Sequence, residues 1–271
     1  MSADRTTRTI ELGDVRLNVL DAGTGPTLLL VHGFPLDHAM WRGQIMHFAS
    51  RMRVVAPDLR GFGASTLAAG ADATSMETFA DDLARLLDAL AIMEPVTFCG
   101  LSMGGCIAWQ FALRHRQRLA RLVLCDTRAA PDSPAVAEGR FKTAEQVLAA
   151  GTESLCQAML PRLLAKANCE HATAARAYIE QAIRAAPPAG VAAAARGMAR
   201  RIDATSLLPT LDMPALLVVG EQDVISPVDE MRGMAQAMPQ AELAVIAGAG
   251  HMAPLEQPAI VNRALEAFVG R

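Results

Sequence analysis

Residues 100–105, GLSMGG, form a serine-centred segment between two stretches of different character. The apolar run Val96–Cys99 before it is typical of a buried strand, whereas Met103–Arg114 after it has the pattern of a helix. Glycine at 100 and 104 leaves room for a tight turn, in which larger side chains would clash with nearby backbone. The helix N-terminus offers unpaired N–H groups and a partial positive charge beside Ser102. The segment therefore predicts a strand–turn–helix unit that presents a serine hydroxyl.

Strand and helix patterns alternate through most of the chain. Short Val, Leu and Ile runs without polar alternation indicate strands that are buried on both faces. The strand patterns lie at Thr9–Leu12, Val15–Leu20, Leu28–Val31, Arg53–Ala56, Val96–Cys99, Arg121–Cys125, Ala215–Val219 and Glu242–Ile246, the first two forming a hairpin. The helix patterns between them lie at Glu77–Ala91, Met103–Arg114, Val228–Met238 and Gln257–Val269. The alternation predicts the α/β class, with a mostly parallel central sheet flanked by helices.

Residues 127–206 differ from the rest of the chain. Strand-like runs are absent there, and Ala-rich helical patterns are separated by prolines. The helix candidates are Phe141–Ala149, Ser154–Leu164, Ala174–Ala186 and Val191–Ile202. We therefore expect an α/β core formed by residues 1–126 and 207–271, with residues 127–206 inserted as a helical cap.

Composition excludes several classes of protein. Lys and Arg total 25 and Asp and Glu total 28, so the chain lacks the basic surface that nucleic-acid binding requires. The polar N-terminal segment MSADRTTRTIELGD has no apolar core of a signal peptide, and no apolar stretch is long enough for a membrane span. The five cysteines form no C-x-x-C pair and fit small buried side chains in a reducing compartment. These features predict a cytoplasmic protein with no nucleic-acid or membrane partner.

A serine becomes a useful nucleophile only when a base removes its proton. Of the six histidines, His251 lies in a glycine-flanked loop between the last strand and the last helix, where it is free to reach a site. Asp223 follows the strand Ala215–Val219, at the sheet edge where ligands bind in open α/β folds, and its carboxylate would orient the base. We therefore predict Ser102, Asp223 and His251 as catalytic residues.

The chain order Ser, Asp, His, together with two further motifs, resembles the α/β-hydrolases. HGFP at 32–35 looks like the family's oxyanion-loop motif, and DLRGFGAS at 58–65 looks like its D-x-R-G-x-G-x-S turn. The resemblance implies that the backbone N–H groups of Phe34 and Met103 form the oxyanion hole, with their side chains facing the acyl pocket. It assigns His32 a structural role, and Asp58 and Arg60 a role in the stability of the turn.

The same resemblance leaves open which aspartate orients His251. Asp126 ends the strand Arg121–Cys125, and some members of the family take their acid from that strand end. We favour Asp223, with Asp126 as the alternative. Residues 100–105 and 122–127 also resemble 3-oxoadipate enol-lactonases, so the branch of serine carboxylesterases and enol-lactonases is indicated.

We expect the protein to be a serine hydrolase that cleaves carboxylic esters through an acyl-enzyme, with no cofactor and no metal. Lactone hydrolysis is the first alternative, and a non-catalytic ligand-binding protein of the same fold is the second. No obvious cationic group accompanies the motifs, which favours small to medium neutral substrates. Candidate substrate contacts are Leu36 and Trp41 near the oxyanion loop, and Met159 and Leu160 in the cap.

Overall fold

The computed structural model describes residues 5–171 and 173–270. Residues 1–4 of the polar N-terminal segment therefore lie outside the described residues. Strands of the described chain are β1 (Arg5–Glu11), β2 (Arg16–Ala22), β3 (Thr27–Val31), β4 (Arg53–Pro57), β5 (Val96–Leu101), β6 (Leu119–Cys125), β7 (Ala215–Gly220) and β8 (Ala241–Ile246). They form one sheet in the order β1-β2-β4-β3-β5-β6-β7-β8.

The sheet is antiparallel at one edge and parallel elsewhere. The β1–β2 hairpin is antiparallel, and β2 also pairs antiparallel with β4. All pairs from β4 through β3, β5, β6 and β7 to β8 are parallel. The predicted α/β class and the mostly parallel sheet are therefore confirmed.

Helices cover both faces of the sheet. Their bounds are α1 (Arg42–Phe48), α2 (Met76–Ala89), α3 (Met103–Arg114), α4 (Pro134–Ala150), α5 (Glu153–Leu163), α6 (Lys166–Glu170), α7 (Ala174–Ala185), α8 (Pro188–Met198), α9 (Val228–Ala237), α10 (Ala253–Glu256) and α11 (Pro258–Val269). Along the strands, alternate side chains point to opposite faces. Leu122 and Leu124 of β6 consequently join the apolar cluster that includes α2 and α3, whereas Val123 joins the cluster that includes α1 and α11.

The segment between β6 and β7 is helical, as expected, and it packs tightly on the core. A Cβ at Gly190 of α8 would lie 1.7 Å from the carbonyl oxygen of Gly61, and one at Gly197 would lie 1.7 Å from that of Thr74. Glycine is therefore required at both positions for α8 to approach these loops. Val191 of the same helix belongs to the apolar cluster on the α2–α3 face. The segment is thus attached to the core through α8.

Several helix boundaries differ from those predicted. α4 begins at Pro134, because the Ser133 side chain accepts a hydrogen bond from the Val136 N–H and proline suits the first turn. The α6 helix has only five residues, too few to produce a periodic pattern. Among the described residues, no helix has the length and the apolar character needed to cross a membrane.

Candidate active site

Ser102 lies at the junction of β5 and α3, in a conformation that few non-glycine residues adopt. Its φ is +53°, which costs on the order of 1–3 kcal/mol and persists only where the surroundings enforce it. A Cβ at Gly100 would lie 2.4 Å from the Gly104 carbonyl oxygen, and one at Gly104 would lie 2.4 Å from that of Val31. Both glycines are therefore needed for the turn that exposes the serine.

The backbone of Ser102 is held on both sides. Its N–H donates to the carbonyl of Cys125 at the end of β6, at 2.9 Å. Its own carbonyl accepts hydrogen bonds from the Thr127 hydroxyl at 2.7 Å and the Gly105 N–H at 2.9 Å. The neighbouring strand end thus fixes the turn, and the side-chain hydroxyl is left for other partners.

The three predicted catalytic residues meet at the carboxyl ends of the parallel strands. The His251 Nε2 lies 2.8 Å from the Ser102 Oγ, and its Nδ1 lies 2.8 Å from the Asp223 Oδ2. The Asp223 Oδ1 accepts backbone N–H groups of Ile225 at 2.7 Å and Ser226 at 3.0 Å. These bonds fix the carboxylate, and the carboxylate in turn favours the imidazole tautomer whose Nε2 is free to accept the serine proton.

Asp126 has a different environment. Its side chain is fully buried, and its Oδ1 accepts the Gly220 N–H at 2.8 Å. Burial, together with the nearby Asp223 carboxylate, raises the pKa of Asp126 well above its ordinary value. Asp126 therefore bonds the end of β7, whereas Asp223 holds the position next to His251.

The loop that carries His251 is fixed by Glu256, which sequence reasoning missed. The Glu256 Oε1 accepts the Gly250 N–H at 2.7 Å, and its Oε2 accepts the Ala165 N–H at 2.8 Å and the Asn168 Nδ2 at 2.7 Å. A Cβ at Gly250 would lie 2.5 Å from the Ala165 nitrogen, so glycine permits this approach. Glu256 thus joins the histidine loop to the chain between α5 and α6.

The oxyanion-loop residues lie close to the serine turn. The buried His32 accepts the Leu59 N–H at its Nε2, at 2.9 Å, and its Nδ1 lies 3.0 Å from the Gly33 carbonyl oxygen, so it holds the loop before Phe34. Met103 is the first residue of α3, and its N–H therefore has no acceptor within the helix. Its side chain is buried in the apolar core, so the expectation that it faces the acyl pocket is wrong.

A cavity of about 390 Å³ opens over Ser102 and His251. This volume lies within the range of small-molecule sites. Phe34 lines its floor. Its other lining residues are Arg128, Asp132, Val136, Gly139, Arg140, Thr143, Leu155, Met159, Arg162, Leu163, Ala195, Met198, Arg201 and Ile225. The helices α4 and α5 thus form most of the walls.

Of the four candidate substrate contacts, Met159 lines this cavity and the other three do not. Trp41 is fully buried and Leu36 nearly so, both in the apolar cluster on the α1–α11 face of the sheet. Leu160 is 9% exposed and belongs to the same cluster, because adjacent helix positions point in different directions. The proposal of Leu36, Trp41 and Leu160 as substrate contacts is therefore corrected, since all three are packing residues.

Residues 26–258 match the family model described as the α/β-hydrolase fold. The chain belongs to this family. Its relatives include esterases and enol-lactonases, so it is a hydrolase of the α/β fold.

Three similar proteins illustrate the range of the family. A thermophilic esterase from Thermogutta terrifontis, solved with malate bound, is 45% identical with a TM-score of 0.93, covering 100% of this chain and 98% of that one. The pimeloyl-[acyl-carrier protein] methyl ester esterase of Aeromonas hydrophila is 30% identical over 92% of this chain and 97% of its own length. The enol-lactonase from Burkholderia xenovorans LB400 is 26% identical with a TM-score of 0.89, covering 97% of this chain and 100% of that one.

Arginines line the cavity in this member of the family, which sequence reasoning did not foresee. They are contributed by α4, α5 and the chain on either side of the cap helices, at positions 128, 140, 162 and 201. Such distant positions leave no local motif. No obvious cationic group accompanies the sequence motifs, and a neutral substrate is predicted for that reason. The four arginines in the cavity walls contradict this reason.

A second polar cluster, Asp37, His38 and Asp58, presents metal-ligand atoms within 4.8 Å of one another. The Asp58 oxygens accept hydrogen bonds from the His38 ring at 2.6 Å and the Ala64 N–H at 2.9 Å, and Asp37 accepts from the Tyr178 hydroxyl at 2.8 Å. Burial by itself would raise the pKa of Asp58, but these hydrogen bonds outweigh it and lower the pKa to about 2. The donors already present satisfy the carboxylates, which fits the turn-stabilising role expected of Asp58.

Proposed function

We propose that this protein is a serine hydrolase that cleaves carboxylic esters through an acyl-enzyme on Ser102. The observation that carries the proposal is the hydrogen-bonded series Asp223, His251 and Ser102, with both links at 2.8 Å, beneath a cavity of about 390 Å³. The similarity to esterases at 45% and 30% identity supports the same reaction class.

In the proposed reaction, the His251 Nε2 takes the proton of Ser102 as Oγ attacks the ester carbonyl carbon. The N–H groups of Phe34 and Met103 would bind the resulting oxyanion, each contributing roughly 3 kcal/mol. His251 then gives its proton to the departing alkoxide, and the carbon–oxygen bond breaks. Water, activated by the same histidine, cleaves the acyl-enzyme to release the acid. Asp223 stabilises the imidazolium that forms in each half-reaction.

Lactone hydrolysis is the second candidate, and it is favoured by the similarity to an enol-lactonase at 26% identity over 97% of this chain. The chemical steps are the same, but the leaving alcohol stays attached to the acyl group, so one product forms instead of two. Parallel assays of an ester and a lactone by product mass distinguish the two. Binding without turnover, the remaining alternative, predicts that neither substrate is consumed.

The test is the turnover of 4-nitrophenyl butyrate by the wild type, Ser102→Ala and Ser206→Ala. Ser206 is an exposed serine outside the cavity, so its replacement is the matched control. We expect Ser102→Ala to lose activity by a factor on the order of 10⁴ or more, and Ser206→Ala to retain it. Substantial activity in folded Ser102→Ala would contradict the proposed nucleophile.

We also propose that residues 127–206 act as the cap of the site, with 1–126 and 207–271 as the catalytic core. This assignment is supported by the position of α4 and α5 in the cavity walls. A cytoplasmic location is proposed from the cysteines, which are unpaired in the described part of the chain. Cell fractionation with a tagged full-length chain tests this location.

A further inference from the structure

We infer that the preferred substrate carries a carboxylate away from the bond that is cleaved, and that Arg162 and Arg140 recognise it. This inference rests on the proposed ester hydrolysis and specifies its substrate class. It follows from the charge of the cavity walls, which we call the cationic wall and define as Arg128, Arg140, Arg162 and Arg201.

Arg162 is the least satisfied member of the cationic wall. It lies in the last turn of α5, three residues after Met159, and both side chains line the cavity. Arg162 is exposed. Within residues 5–171 and 173–270, its guanidinium forms neither an ion pair nor a hydrogen bond. All five of its N–H donors are therefore open to a ligand.

Arg140 and Arg201 share one carboxylate. Asp132, whose side chain is 2% exposed, pairs with the Arg140 Nε and with the Arg201 Nη1, the latter at 2.7 Å. Arg201 also donates to the Ala130 carbonyl at 3.0 Å. The Arg140 Nη1 lies 3.5 Å from the Met198 sulfur, which is a weak acceptor. Two guanidinium charges against one carboxylate leave a positive charge beside the cavity, with Arg140 Nη1 poorly satisfied.

The remaining member, Arg128, is neutralised by Glu230 at 2.7 Å. Four arginines thus face Asp132 and Glu230, so the wall has an excess of two positive charges. A guanidinium matches a carboxylate geometrically and can donate two parallel hydrogen bonds to it. A free carboxylate on the substrate would supply a strong acceptor to the Arg162 guanidinium and to the Arg140 Nη1, whereas an uncharged chain would leave the excess charge uncompensated.

The experiment compares substrates that differ in one charge and hardly in shape. For the acyl side, the pair is 4-nitrophenyl hydrogen adipate and 4-nitrophenyl 6-methylheptanoate, in which an isopropyl group replaces the carboxylate. For the alcohol side, the pair is 4-carboxyphenyl acetate and 4-isopropylphenyl acetate. For at least one pair, we expect the wild type to have the higher kcat/KM for the charged ester, and we expect that preference to fall as salt rises from 10 to 500 mM.

Variants test whether the cationic wall causes the preference for the charged ester. Arg162→Gln should lower the ratio of charged to neutral kcat/KM on the order of tenfold, and Arg162→Lys should retain part of it. Because the ratio is compared between variants for the same substrate pair, the difference in intrinsic reactivity between the two esters cancels. Arg263→Gln is the matched control, because Arg263 is an exposed arginine on α11 outside the cavity, and it should leave the ratio unchanged.

Each outcome bears on a different statement. If the neutral esters are hydrolysed but neither charged ester is preferred at low salt, the inference is overturned while the proposed function stands. A charge preference that Arg162→Gln leaves intact would overturn the role of Arg162. If no ester of either pair is consumed, the proposed function itself fails.

Discussion

Replacing Asp223 by asparagine tests which carboxylate orients the histidine. The Asp223 Oδ1 accepts the N–H groups of Ile225 and Ser226, and only an oxygen can take that place. In Asp223→Asn the amide oxygen would therefore remain there, and the amide NH₂ would face the His251 Nδ1. The ring would then have to carry its proton on Nε2, which could no longer accept the proton of Ser102.

The expected loss follows from that change of tautomer. An aspartate-to-asparagine change in a serine-protease triad lowers kcat by about 10⁴, which corresponds to about 5 kcal/mol in the activation free energy. Asp126→Asn should instead change kcat less than tenfold. The hydrogen bond of Asp126 is to the Gly220 N–H and not to His251, and the amide oxygen of an asparagine can accept that bond as the carboxyl oxygen does.

The assay is kcat for 4-nitrophenyl butyrate at pH 8, with thermal unfolding measured for both variants to show that each is folded. If kcat falls 10³-fold or more in folded Asp126→Asn but stays within tenfold of the wild type in Asp223→Asn, the carboxylate that orients His251 is Asp126 at the end of β6. The assignment of Asp223 would then be wrong, although the hydrogen bonds observed here favour it.

Two further predictions concern stability and chain-length preference. The pKa of Asp58 is about 2 against an ordinary value of 3.8, so its ionised form stabilises the fold above pH 4, and this contribution is lost as pH falls through 2. Asp58→Asn should therefore lower the free energy of unfolding by about 2 kcal/mol at pH 7, and the difference from the wild type should shrink to a small fraction of that near pH 2. A pH-independent difference in urea titrations would contradict this origin. Met159→Trp should shift the ratio of kcat/KM for short against long acyl esters by about tenfold, because Met159 lines the cavity. Leu160→Trp is the control for Met159→Trp. Because Leu160 is packed in the core, this change should lower the melting temperature without shifting the ratio of kcat/KM for short against long acyl esters. Equal shifts of the ratio in both variants would contradict the assignment of Met159, and not Leu160, to the cavity wall.

The sequence predicted the sheet and the serine turn because both depend on local patterns. Buried parallel strands appear as short apolar runs, and the turn at Ser102 requires glycine at 100 and 104, where nearby backbone leaves no space for a Cβ. His251 and Asp223 could be proposed because each follows a strand at the same edge of the sheet. Asp126 occupies an equivalent strand end, so the sequence could not decide which of the two aspartates orients His251. The burial and the hydrogen bonds of the two side chains favour Asp223.

The cavity walls could not be predicted in the same way. Leu36 and Trp41 lie close in sequence to the oxyanion loop, yet their side chains turn into the core on the α1–α11 face. Arg140 and Arg201 meet at Asp132 although they are far apart in sequence. Their meeting depends on how the cap helices pack against one another, and no spacing rule encodes it. The substrate class is consequently the part of the account that depends most on the structure.

The central claim is that Ser102 carries the acyl group during turnover. The most direct measurement is the mass of peptides from enzyme quenched with acid during hydrolysis of 4-nitrophenyl butyrate. We predict a butyryl adduct on the peptide that contains Ser102, formed by the wild type and absent in Ser102→Ala. Turnover by the wild type without any acyl adduct at Ser102, or with the adduct on another residue, would contradict the account.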